Sequence, residues 1–157
     1  MKLDTRVEQA LIGINFVERY ENISKKYNRE RTPKGQELDY FDGDFLMEIV
    51  ELLGYKAQYD KRERFFHIKL EEIGHFRFGF HFALEYGRLE LIWVVYEGDK
   101  VVLGSPWTRY PRLMIARDYI IKQPIISDYV DFRDVMKIVF EMYEDFKQVF
   151  LKIAKDK

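Results

Sequence analysis

Three histidines, His67, His75 and His81, are the residues of this chain best placed for chemistry near neutral pH, where imidazole ordinarily titrates. His67 and His81 each lie in a stretch where apolar and polar residues alternate, on the side opposite the apolar row. If Leu70 pairs with Phe76 around the intervening turn, the two imidazoles become diagonal neighbours on one sheet face, near Glu90. Two histidines and a carboxylate can ligate zinc, or act as acid and base in a hydrolysis. No close-set ligand motif such as H-E-x-x-H accompanies them, so surface or interface histidines are the preferred reading. His75 falls in the Gly74 turn and is expected to face water.

Other chemistries find less to work with. The three serines, Ser24, Ser105 and Ser127, stand outside any G-x-S-x-G elbow, and Gly104-Ser105-Pro106 reads as an ordinary turn. Neither G-x-x-x-x-G-K-[ST] nor G-x-G-x-x-G occurs, so no phosphate loop is expected. With 27 acids in 157 residues, some carboxylate pair always lies at a separation suited to glycoside chemistry, which makes such a pair uninformative. Cysteine is absent, which excludes disulfides, thiolate catalysis and cysteine-ligated metals. No metal or cofactor is expected.

Charge is more telling in its pattern than in its sum. Lys and Arg number 26 against those 27 acids, for a net charge of −1, which gives no general pull toward nucleic acid or anionic membrane. Between Gln36 and Tyr55, however, stand Glu37, Asp39, Asp42, Asp44, Glu48 and Glu51 with no Lys or Arg, just after the basic stretch Lys25, Lys26, Arg29, Arg31 and Lys34. A helix dipole accommodates acids at its start but not Glu51 in its last turn. An acidic ridge of this kind suits a partner that is basic at the contact.

These groups are positioned by elements readable from apolar spacing. Leu3, Val7, Ala10, Leu11, Ile14, Val17 and Tyr20 predict one amphipathic helix from about Asp4 to Tyr27, followed by a basic loop to Gly35. A second helix fits Asp39 to Leu53, with Phe41, Phe45, Ile49 and Leu52 on one face and Gly54 as its C-terminal stop. Tyr55, Ala57 and Tyr59, and then Phe66, Ile68 and Leu70, follow a period of two. Phe76, Phe78, Phe80, Phe82 and Leu84, followed by Leu89, Leu91, Trp93 and Val95, do so most clearly. A two-residue loop at Tyr86-Gly87 pairs Glu85 with Arg88, Leu84 with Leu89, Phe82 with Leu91 and Phe80 with Trp93, placing every apolar row on one face. A short strand at Val101–Leu103 follows the Glu97–Lys100 turn, and a stretch with no clear period runs to Pro124. The last helix carries a stripe from Phe132 to Ile153, with Ser127 or Asp131 at its start. The fold class expected is α+β in one domain: a four- to five-stranded antiparallel sheet packed against two N-terminal helices and one long C-terminal helix.

The outer sheet face is unusual for a solvated one. Beside Arg77, His81, Glu85, Arg88 and Glu90 it carries Phe65, Ile92, Val94 and Tyr96, a mixture typical of interfaces unless Met114–Ile126 covers it. Trp107, Arg109, Tyr110 and Arg112 read either as loop anchors into the core or as a contact patch.

The Phe-rich strand, the Leu89–Tyr96 strand, the Gly104-Ser105-Pro106-Trp107 turn and the acidic helix together resemble, in type, the immunity proteins of bacterial polymorphic toxin systems. The resemblance implies a cytoplasmic binder, not an enzyme, that blocks a cognate toxin domain. A charged start with no apolar segment behind it, and a longest apolar run of only Leu91–Tyr96, agree with a cytoplasmic location. The contact residues expected are Asp42, Asp44, Glu48, Glu51, Phe65, His67, Arg77, His81, Tyr96, Trp107 and Arg109, in a monomer or homodimer. The rival is a small-molecule-binding or hydrolytic enzyme with a pocket beside the sheet, using His67, His81 and Glu90. Self-association through the outer sheet face is a third possibility.

Overall fold

The computed structural model describes residues 2–155 and confirms the α+β class. Its sheet is a plain meander, β1 (Ala57–Asp60), β2 (Phe65–Ile73), β3 (Phe76–Glu85), β4 (Arg88–Glu97) and β5 (Lys100–Leu103), in that spatial order and antiparallel throughout. The β3–β4 hairpin has the predicted register, from Glu85 opposite Arg88 to Phe80 opposite Trp93. Tyr86 and Gly87 both take positive φ, 51° and 74°, as a two-residue turn matched to strand twist demands. Gly87 has a second reason to be glycine. A Cβ there would run into the Glu37 side chain, because the 37–38 segment and Ile126 close over the turn.

Helices cover one face only. α5 (Tyr129–Lys155) lies along the inner row, its Phe140, Tyr143, Phe146 and Phe150 rings against Phe80, Trp93, Phe78 and Phe76. Its start is capped by Asp128, whose carboxylate accepts from the Asp131 N–H at 2.8 Å. Asp131 in turn accepts from the Ser127 hydroxyl at 2.6 Å and pairs with Arg31. Neither expected cap residue is therefore the cap itself, though both take part in the network.

Four expectations need correction. The N-terminal stripe is broken into α1 (Thr5–Gly13) and α2 (Phe16–Lys26) at Asn15, which adopts a left-handed φ of 56°. Asn is one of the few residues that tolerates this conformation, and the break lets both helices bury apolar faces in different directions. The next helix, α3 (Gly43–Leu52), begins only after Asp42, whose side chain caps it. Leu46, Ile49 and Val50 form its buried face, while Phe45 and Leu52 are exposed. Gly54 does end it: the Tyr55 N–H reaches the Val50 carbonyl and the Gly54 N–H that of Glu51. A further short helix, α4 (Arg109–Met114), occupies what reads as loop, and the described residues thus hold five helices, not three.

The fourth correction concerns β2. Two residues, Lys69 and Leu70, stand opposite the single Gly79, a β-bulge that shifts the register from His67↔His81 to Glu71↔Phe78. Leu70 therefore leaves the core row and lies on the outer face, in the space where a side chain at position 79 would sit. Past the bulge, Glu71 faces inward and its carboxylate meets the buried Lys147 ammonium at 2.6 Å. No helix among the described residues is long and apolar enough to cross a membrane.

Candidate functional site

The outer face of the sheet is where sequence-predicted residues come together. The β2–β3 turn closes with Ile73 opposite Phe76, not Leu70, and together with the bulge this makes His67 and His81 direct cross-strand partners instead of diagonal ones, with ring centres 6.0 Å apart. Phe65, two residues along β2, stacks flat on His81 at 4.7 Å and 12°. On the other side of the bulge, Arg77 lies 4.9 Å over the Tyr96 ring and donates to the Gly98 carbonyl, which fixes both side chains. Phe65, His67, Arg77, His81 and Tyr96 are all half-buried.

Between these groups runs a groove of about 620 Å³ walled by Lys56, Gln58, His67, Lys69, Leu70, His81 and Tyr96. That volume lies within the range of small-ligand pockets. Lys56, Gln58, Lys69 and Leu70 were not legible as site residues. Lys56 and Lys69 are brought together by the β1–β2 pairing, in which the Lys69 N–H donates to the Lys56 carbonyl at 3.2 Å. Leu70 arrives through the bulge, which a period-two reading assigns to the wrong face.

The electrostatics of the groove are one-sided. Two lysines and two histidines line it and no carboxylate does. Among the described residues, the side chains of Lys56, Gln58, His67, Lys69 and His81 have neither an ion-pair nor a hydrogen-bond partner. Burial, and then the like charge His67 would place beside it, hold the His81 imidazole below its ordinary 6.5. His81 is thereby favoured as a neutral donor and acceptor. Between its folded pKa and 6.5 the unfolded chain carries a proton that the folded chain refuses, so stability falls as pH drops through 6.5. The melting temperature is expected to decline between about pH 7.5 and about pH 5.5, and His81→Gln to flatten that decline. An unchanged slope in the variant refutes this origin.

The remaining predicted residues lie elsewhere. Glu90 pairs with Ala83 and is a diagonal neighbour of His81 on the outer face, but it lines a separate small cleft with Glu85, Tyr86, Arg88 and Gln123, and among the described residues no hydrogen bond joins it to either histidine. No group of three or more His, Cys, Asp or Glu among the described residues is arranged to hold a metal. Asp42, Asp44, Glu48 and Glu51 are exposed on α3, which packs on the inner-face residue Phe66 through Gly43 and so lies on the other side of the sheet. The acidic ridge and the outer face are two surfaces. Trp107 is not a surface contact: it is 1% exposed, its ring edge-on to Phe16, Tyr20 and Trp93. Tyr110 is likewise buried, and Arg109 is exposed on α4, outside the groove.

The outer face stays open except at Val94, which is only 5% exposed beside Leu70 over Gly79. Met114–Ile126 does not cross that face but runs along the free edge of β4, where the Leu89 N–H donates to Pro124 and the Ile126 N–H to Gly87. Trp107 closes the same edge through its N–H to Leu91. Family models, curated proteins and solved structures were each compared with the chain, and none matches.

Proposed function

We propose that the protein is a binder that presses its open sheet face against a protein partner, and that the partner is a toxin domain it neutralises. One observation carries the binding role: Phe65, Leu70, Ile92 and Tyr96 form an aromatic and aliphatic surface, interleaved with His67, His81 and Arg77, over which no helix is packed among the described residues. Interfaces combine buried aromatic anchors with Arg and a polar rim in this way. The toxin as partner rests on the resemblance of type to immunity proteins, and with it go a cytoplasmic location and a stoichiometric, non-catalytic action.

The test is protection of cells that express the protein co-purifying with this chain from its host. Wild-type chain is expected to restore growth, Phe65→Ala with Ile92→Ser to fail while remaining folded, and Glu48→Lys on α3 to protect as well as wild type. Loss of protection by Glu48→Lys alone moves the contact to the acidic helix, and turnover of a substrate by the purified protein overturns the binder reading. A second reading, a small-molecule-binding or hydrolytic enzyme, draws on the histidine pair lining a groove of ligand size.

A further inference from the structure

The groove on the open face has a chemistry of its own, which sharpens the identity of what enters it. Its polar lining consists of the Lys56 and Lys69 ammoniums, the two imidazoles, the Gln58 amide and the Tyr96 phenol. Each of these can donate a hydrogen bond, and the two ammoniums can only donate. Its apolar surfaces are the Leu70 side chain, held in place by the space over Gly79, and the ring face of Tyr96, held by Arg77. A cationic ligand finds no counter-charge here, since no carboxylate lines the groove. A purely apolar ligand leaves two ammoniums partly desolvated without compensation. A carboxylate satisfies both, because a charge-assisted hydrogen bond to Lys or imidazole is among the stronger polar contacts available.

We propose that the groove recognises a carboxylate carried on an apolar or aromatic body, presented by an acidic side chain that the protein partner inserts between Leu70 and the histidine pair. This rests on the open face being the contact surface. It also reverses the sign expected from α3: where the groove touches it, the partner is acidic. The free space of about 620 Å³ accommodates a glutamate or aspartate together with a flanking aromatic residue.

The ring C–H signals of the three histidines provide a built-in readout, because His67 and His81 line the groove whereas His75 lies in the exposed turn after β2. Four probes are titrated into the full chain and followed by NMR: 2-naphthylacetate, its neutral amide, and the capped tripeptides Phe-Glu-Leu and Phe-Gln-Leu. The expected result is saturable movement of the His67 and His81 signals with the acid and with the Glu peptide, at least about tenfold weaker binding of the two neutral probes, and a still His75 signal. Lys69→Glu is expected to weaken the two acidic probes by about tenfold or more and leave the fold intact, since Lys69 is exposed. Equal binding of acid and amide, movement of His75 alike, or no movement at all overturns the inference. Response to naphthylacetate without response to the Glu peptide overturns the protein side chain as the source and assigns the groove to a small organic acid. If all probes fail while Phe65→Ala with Ile92→Ser still abolishes protection, the inference falls and the binder reading stands. If the acids bind but no partner is neutralised, the groove's preference for a carboxylate stands and the toxin as partner falls.

Discussion

Trp107→Ala is expected to lower stability by about 3–5 kcal/mol, the range for deleting a fully buried large aromatic side chain. The indole sits edge-on to three rings, with centroids 4.8 Å from Phe16, 5.1 Å from Tyr20 and 5.0 Å from Trp93. No single element owns that cluster. Phe16 opens α2, Trp93 is the centre of β4, and Trp107 arrives from the segment that closes the β4 edge, so truncation unfastens all three. The indole N–H has no acceptor among the described residues, so the loss is one of packed volume and not of a hydrogen bond. Trp107→Phe is therefore expected to retain most of the stability that alanine forfeits. Urea denaturation of both variants measures the difference. A surface contact residue behaves in the opposite way, and an alanine variant with unchanged midpoint refutes the anchoring role.

The second large effect lies at Lys147. Its side chain is 4% exposed on α5, the ammonium held by Glu71 at 2.6 Å and Glu144 at 2.8 Å, with the Tyr143 ring 4.4 Å beneath. Tyr55 donates to the same Glu144 carboxylate at 2.5 Å and stacks on Phe140. Both carboxylates are about half exposed, so the attraction they supply is screened and modest. The energy at stake is the desolvation of the lysine. Glu71→Gln with Glu144→Gln leaves that buried ammonium without counter-charge and is expected to cost about 3 kcal/mol or more. Lys147→Met removes the charge along with its need for partners and is expected to fall within about 1 kcal/mol of wild type. Equal losses in the two variants refute this account, and chemical denaturation at neutral pH decides between them.

Much of the sheet was legible from apolar spacing because strict alternation over ten residues admits one face and one register. The β3–β4 hairpin was readable residue by residue for that reason, and its charged closing pair and Tyr-Gly turn agreed with the pattern. Two of the features that were missed break a period by one residue. Asn15 interrupts a stripe that continues on either side of it, and nothing in apolar spacing marks a left-handed residue within a helical run. The bulge at Lys69-Leu70 inserts one residue opposite Gly79, so Leu70 was assigned to the core, and a turn closed at Leu70 instead of Ile73 made the histidine pairing read as diagonal. The presence of His67, His81, Phe65, Arg77 and Tyr96 on one face followed from alternation alone. Their enclosure into a groove did not, because the lysines and Leu70 that wall it depend on the β1–β2 register and the bulge. The burial of Trp107 was equally out of reach, since an aromatic residue in a loop looks the same whether it points into a core or away from it.

The one-sided arrangement of helices has a consequence for how the chain is made. The inner row of Phe78, Phe80, Phe82 and Trp93 is fully buried beneath α5, yet α5 is synthesised only after all five strands. At a translation rate of about 5–20 residues per second, the 27 residues of α5 take roughly one to five seconds to add, ample time for a hairpin to form with its aromatic face bare. During that interval the nascent meander exposes the apolar face that α5, made after every strand, later covers.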